Sequence, residues 1–143
     1  SPASEYIRSF VENVDRSKVI TAGTVMRKPD IVATHKDGPS QAVRHMRKSG
    51  LSTLYVVYEN RSLAGYVTID DAVRLSKEHK NSLDPIIKKD APTTTPDTPL
   101  VEILQQASTT TIPIVVLDEK RHIQGIVTRA SMLAALAGED LKK

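Results

Sequence analysis

Three short runs in this sequence combine residue types that could hold a ligand. Thr128-Arg129-Ala130-Ser131 follows the apolar Gly125-Ile126-Val127 and opens a helical pattern, so a guanidinium stands beside the exposed N–H groups of a helix start. A cation and free backbone donors together suit phosphate oxygens. A positive residue at that end opposes the helix dipole, and local conflicts of this kind are commoner at functional sites. The matching run earlier in the chain, Thr68-Ile69-Asp70-Asp71, keeps the threonine but has a carboxylate where the later one has Ser131. There Thr68 reads as a helix N-cap and Asp71 complements the dipole, which needs no ligand. Ile112-Pro113-Ile114 begins a strand in which the missing Pro113 N–H leaves one ladder position open, facing either a cleft or a sheet edge.

No catalytic constellation accompanies these runs. His35, His45, His79 and His122 are scattered without ligand spacing and read as surface residues, and with no cysteine present thiolate metal sites and disulfides are excluded. The chain has neither a Gly-x-Ser-x-Gly elbow nor a His-Glu-x-x-His pair, and no Gly-x-x-x-x-Gly-Lys-Ser/Thr loop that would cradle ATP for hydrolysis. We therefore expect no catalytic residue, no metal and no required cofactor in this fragment. The threonine runs 93–95 and 109–111 read as turn and strand-edge residues.

What must position the ligand-type residues is a unit written twice. Gly65-Tyr66-Val67-Thr68 and Gly125-Ile126-Val127-Thr128 stand 60 positions apart. Before each glycine lies a strand-like block, Tyr55 to Tyr58 or Ile114 to Leu117, then a polar turn, Glu59-Asn60-Arg61 or Asp118-Glu119-Lys120, so each copy reads as a hairpin. Upstream, Leu100, Ile103, Leu104 and Ala107 recur at helical spacing behind Thr98 as N-cap and Pro99 in the first turn. The first copy offers Pro39, then Ala42, Val43 and Met46, and Gly50 as a stop. Downstream, Ala72, Val73 and Leu75, and Met132, Leu133 and Leu136, supply the apolar faces of closing helices, the second ended by Gly138. Leading strands are expected at 31–34 and 92–95. Each copy is then β-α-β-β-α, and at about 60 residues it is marginal alone, so the two should pack together through their sheets.

Residues 1–20 stand outside the repeat. Tyr6, Ile7, Phe10, Val11 and Val14 fall on one helical face, followed by a linker-like Asp15-Arg16-Ser17-Lys18.

Composition narrows the class. The 143 residues are 39% hydrophobic and 26% charged, a globular balance, with aromatics at only 3%. Net charge is +3 and the pI near 9.2, which favours anionic partners. The basic residues are not interleaved with stacking aromatics, so nucleic acid is not expected. Lys88-Lys89, Lys142-Lys143 and the Arg44/Arg47/Lys48 group could meet anionic lipid or form a solvated face. Apolar runs fall far short of the roughly 20 residues that span a bilayer. A start at Ser1-Pro2-Ala3 without a basic, then apolar, leader reads as a cut from a longer chain, and cytoplasm is the expected compartment.

Two such units, each closing on Gly-h-Val-Thr before a helix, resemble a tandem CBS pair, or Bateman module, of α/β (α+β) class. The resemblance divides the chain into an N-terminal helix and linker (1–20), repeats at 21–81 and 82–138, and a tail (139–143). At the front, Glu5 to Val11, Asp15 to Ala22 and Val25-Met26 are similar to the junction between nucleotide-binding domain and CBS tail in glycine betaine/proline ABC transporter ATPase subunits. Ile112-Pro113-Ile114 and Ala134 to Gly138 fit the same family.

The resemblance implies a regulatory module that dimerises through its helices and senses an adenine-containing nucleotide, cyclic di-AMP first, with AMP or ATP as alternatives. Its parent would be a transport ATPase at the cytoplasmic face of the membrane, working with membrane subunits. Ligand-binding residues carried over are Ile112, Pro113, Ile114, Gly125, Ile126, Val127, Thr128, Arg129 and Ala130, with Thr68 and Asp71 matching a ribose-binding Thr-x-x-Asp element. Loss of that carboxylate at Ser131 puts ribose recognition in doubt in the second copy. A ligand-free dimerisation module responding to ionic strength through acidic lipid is the competing expectation.

Overall fold

The computed structural model describes residues 18–29 and 32–138. Most of the anticipated N-terminal helix, and the tail, lie outside the described residues. Within them the chain forms five α-helices and two three-stranded sheets of mixed α/β character. In chain order these are α1 (Ala22–Val25), β1 (Val32–Thr34), α2 (Pro39–Ser49), β2 (Thr53–Val57), β3 (Leu63–Thr68), α3 (Ile69–Lys77), a 3₁₀ turn (Asp84–Ile86), β4 (Thr93–Thr94), α4 (Leu100–Thr109), β5 (Ile114–Leu117), β6 (Ile123–Val127) and α5 (Arg129–Leu136).

The sheet orders are β1-β2-β3 and β4-β5-β6, the same arrangement twice. β1 runs parallel to β2 and β4 parallel to β5, each pair joined by a helical crossover, as parallel strands require. β2 and β3 form an antiparallel hairpin with Tyr55 opposite Tyr66, and a bulge lies at Val56/Val57. The β-branched blocks that mark these strands in the sequence are buried along almost their whole length.

Helix boundaries follow the local chemistry. Pro39 occupies the first turn of α2, and Gly50 ends it at φ 67°, a left-handed conformation that glycine adopts without Cβ strain. α4 begins one residue later than expected. Pro99, not Thr98, stands at the N-cap, and the Thr98 hydroxyl pairs with that of Thr95 at 2.8 Å. Pro99 is extended (φ −64°, ψ 147°) in a bridge with Thr21, and the Leu100 N–H donates to the Ile20 carbonyl at 2.9 Å, which holds Pro99 out of the helix and sets the start at Leu100. On α5, Met132 and Ala135 face the core, whereas Leu133, assigned to the apolar face from the sequence, is 60% exposed. In an eight-residue, mostly apolar helix the pattern alone does not fix the buried face. Gly138 follows the helix end at φ 80°, as anticipated.

Two compact units emerge, and their make-up differs from the linear repeats. Among the described residues, one joins 29 and 32–91 with 119–123, and the other joins 18–28, 92–118 and 124–138. The first unit's core gathers Ala42, Met46, Leu54, Val56, Val67, Ala72 and Leu75, and adds Leu83 and Ile86 from beyond α3. The second unit's core gathers Leu100, Ile103, Ile114, Val116, Val127 and Met132, and adds Ala22 and Val25 of α1 from the start of the chain.

The lead-in to each repeat thus completes the core of the opposite one. It also closes a sheet edge: Lys88 exchanges backbone hydrogen bonds with Tyr66 of β3 (3.0 and 2.8 Å), and Arg27 does the same with Ile126 of β6 (3.0 and 2.7 Å). Paired edges leave fewer open donors and acceptors.

Candidate functional site

In the second unit, the end of α4, the start of β5 and the start of α5 converge on a cleft of about 470 Å³. Ala107, Thr110, Thr111, Ile112, Pro113, Ile114, Val127, Thr128, Arg129 and Ala130 line it. Seven of these were singled out from the sequence. Ala107, Thr110 and Thr111 were not, because a threonine run after a helix reads as a plain turn, although its place just ahead of Pro113 was the available signal.

Local sequence dictates the floor of this cleft. Thr128 sits at the N-cap of α5 in extended conformation, and its hydroxyl accepts the Ser131 N–H at 3.0 Å. The Ser131 hydroxyl in turn accepts the Thr128 N–H at 3.0 Å and donates to the Thr128 carbonyl at 3.0 Å. This reciprocal capping box spends the hydroxyls of Thr128 and Ser131 on the helix. The N–H groups of Arg129 and Ala130 have no earlier helical carbonyl to meet, and both residues border the cleft.

Arg129 is the sole charged residue of the lining. Its guanidinium Nη2 donates to the carbonyl of Thr110 at 2.9 Å and, more weakly, to that of Ser108 at 3.5 Å. The Ser108 carbonyl belongs to the last turn of α4 and the Thr110 carbonyl to the cap that follows it, next to the negative end of that helix's dipole, where a cation is favoured. The conflict anticipated at the α5 start is therefore offset at the α4 end. The Thr110 hydroxyl donates to the Ile112 carbonyl at 3.1 Å and accepts the Ile112 N–H at 3.3 Å. That arrangement fixes the residue immediately before Pro113. Chemically, the lining combines one cation and the N–H groups of a helix start with apolar surface, and it contains no carboxylate.

The remaining sequence-predicted residues lie elsewhere. Gly125 and Ile126 are behind the lining, Ile126 buried and bridged to Arg27, and Gly125 packed against Met26. Thr68 and Asp71 belong to the other unit, where Thr68 accepts the Asp71 N–H at 3.2 Å as the N-cap of α3 and the Asp71 carboxylate pairs with Arg74 at 3.3 Å. In the same unit the Tyr66 phenol donates to Asp90 at 2.9 Å, and burial together with that carboxylate raises its pKa. Burial, and secondarily Tyr66, pushes the pKa of Tyr55 up to about 12. Among the described residues no cluster of His, Asp or Glu is placed to hold a metal, and no helix is long and apolar enough to cross a membrane.

Against known proteins, the family model for the CBS domain matches residues 22–78 and again 83–138. The glycine betaine/carnitine transport ATP-binding protein GbuA of Listeria monocytogenes is 48% identical over 140 residues, covering 98% of this chain and 35% of its own length. The chain thus spans about a third of the curated relatives it matches. Among solved structures, Staphylococcus aureus OpuCA superposes with TM-score 0.70 at 26% identity, over 80% of this chain and 97% of that one. CbpB, solved in complex with c-di-AMP, shares the fold at TM-score 0.75 and 14% identity, over 90% of this chain and 91% of its own.

Proposed function

We propose, because this chain belongs to the CBS domain family, that it is the regulatory CBS pair of an osmoprotectant ABC transporter's ATP-binding subunit, of the glycine betaine type. Its second repeat binds an adenine-containing nucleotide, cyclic di-AMP being the first choice, and binding controls transport. The observation that carries this reading is the cleft whose single charge is the Arg129 guanidinium, set beside the N–H groups of Arg129 and Ala130. Phosphate oxygens meet those donors, and a base meets the apolar lip of Ile112 and Pro113.

A free ribose diol is commonly recognised by a carboxylate. The second-repeat lining has none, and the Ser131 hydroxyl at the corresponding place is consumed by the capping box. A ligand whose ribose 3′ oxygen is esterified, leaving no free diol, as in a 3′,5′-linked cyclic dinucleotide, gives up less here than AMP does. In the first repeat, the cap and the Arg74 pair already occupy Thr68 and Asp71, so we place the ligand in the second.

The module has no catalytic part. ATPase activity, membrane subunits and a station at the cytoplasmic face belong to the parent protein. Leu133 and Val101, exposed apolar side chains on α5 and α4, support self-association through the helices. A ligand shifts such an assembly only by its differential affinity for two states, typically about 1–3 kcal/mol.

Calorimetric titration with cyclic di-AMP, AMP and ATP tests the assignment. Cyclic di-AMP should bind most tightly. Failure of all three to bind below about 100 μM would favour a ligand-free dimerisation module tuned by ionic strength and anionic lipid.

A further inference from the structure

We propose that Thr110 is a positioning residue that couples two parts of the second-repeat cleft lining, holding Arg129 with its backbone and the Ile112-Pro113 segment with its side chain. The proposal rests on the reading of that cleft as a nucleotide site.

Each polar group of Thr110 serves a different partner. Its N–H donates to the Gln106 carbonyl at 3.2 Å and closes α4. With ψ at 147°, the residue leaves the helical path. Its carbonyl accepts the Arg129 Nη2 at 2.9 Å, and its hydroxyl both donates to and accepts from the Ile112 backbone, at 3.1 and 3.3 Å. Arg129 and Pro113 both line the cleft, so a ligand filling it meets both. The peptide of Thr110 is the piece of structure common to both, and the hydroxyl bridge restrains it.

The neighbouring threonine does something else. The Thr109 hydroxyl turns back to carbonyls of its own helix, Gln105 at 3.4 Å and Gln106 at 3.2 Å, so it steadies α4 without touching the lip or Arg129. Thr109→Val therefore serves as a control for general loss of a hydroxyl in this segment.

Thr110→Val keeps the shape and removes the hydroxyl, while Thr110→Ser retains a group that can donate and accept. With folding verified by circular dichroism, calorimetry with cyclic di-AMP should show Thr110→Val binding about three- to tenfold more weakly than wild type, the range of one net hydrogen bond. Thr110→Ser and Thr109→Val should stay near wild type. If the effect passes through the guanidinium, Thr110→Val should cost much less in an Arg129→Ala background, since residues acting as a unit are non-additive. Independently of any ligand, ¹⁵N relaxation of the Arg129 Nε–H should report a more mobile side chain in Thr110→Val than in wild type.

An undiminished penalty in the Arg129→Ala background, or an Arg129 Nε–H equally rigid in Thr110→Val, would overturn the coupling. Should wild type bind none of the nucleotides, the cleft reading fails, and the relaxation measurement still decides whether Thr110 positions Arg129.

Discussion

The Nη2 of Arg129 rests 2.9 Å from the carbonyl of Thr110, so the cation that opens α5 is anchored on the C-cap of α4. One edge of the guanidinium is fixed by protein, and its other N–H groups remain for an anion. Arg129→Ala should weaken cyclic di-AMP binding by roughly ten- to a hundredfold, the range for a hydrogen bond to a charged group. Arg129→Lys should recover only part of this, because an ammonium lacks the planar fork that holds a carbonyl and a phosphate together. Calorimetry at fixed salt measures both, and an unchanged affinity in Arg129→Ala would remove this residue from the site.

Helix capping should make the two repeats unequal in sensitivity. Thr68 accepts one cap hydrogen bond from α3, whereas Thr128 takes part in a reciprocal box on α5. Thr68→Ala should cost about 1 kcal/mol in urea unfolding. Thr128→Ala removes the same single acceptor and should cost about as much, whereas Ser131→Ala should add a further loss even in the Thr128→Ala background, because its hydroxyl bonds the residue-128 backbone that alanine keeps.

Three glycines face different neighbours and should respond differently to alanine. A Cβ on Gly65, at φ 152°, would lie 2.2 Å from the Lys88 carbonyl, so Gly65→Ala must break the bridge between Lys88 and Tyr66. A loss of about 2–4 kcal/mol is expected, in the range of strongly disruptive substitutions. Gly50 has open space around it and only its φ of 67° to resist, for about 1 kcal/mol. Gly125 would press on Met26 at 2.9 Å, its Cβ included, so the Met26 segment must shift, but the overlap is smaller than the 2.2 Å approach to a backbone carbonyl at Gly65, and Gly125→Ala should fall below Gly65→Ala. Thermal unfolding of the three variants gives the order.

Alkaline stability should carry the signature of Tyr55. Its phenol ionises near 10 when unfolded and about 12 when folded. Below pH 10 both states hold the proton and the contribution is constant. Between about 10 and 12 the unfolded chain releases it first, so stability falls by up to ~1.4 kcal/mol per pH unit across that window. Tyr55→Phe should flatten the decline, and urea unfolding of the two proteins from pH 9 to 12 shows whether it does.

Much of the architecture was legible because the repeat marks itself. The β-branched hairpin blocks, Pro39, Gly50 and Gly138 each act through local backbone preference, and the structure uses them as the sequence implies. Leu133 escaped because which face of a short apolar helix is buried depends on its neighbours. The grip of Arg129 on Thr110 was illegible for a similar reason, joining residues 19 positions apart through the meeting of two helix ends. Of the cleft, the residues with distinctive chemistry stood out, whereas Thr110 looked ordinary until its three partners were seen.

The placement of Leu83, Ile86, Ala22 and Val25 bears on how such a chain can be handled as a part. Cutting at the seam that similarity suggests, after residue 78, strands each half without side chains its interior was built around. An isolated half would expose an oily wound and recruit whatever could fill it, its own twin included. The smallest piece that can be grafted onto another protein, or traded between genes, is the couple, and swapping a single half requires carrying its partner's leading segment along.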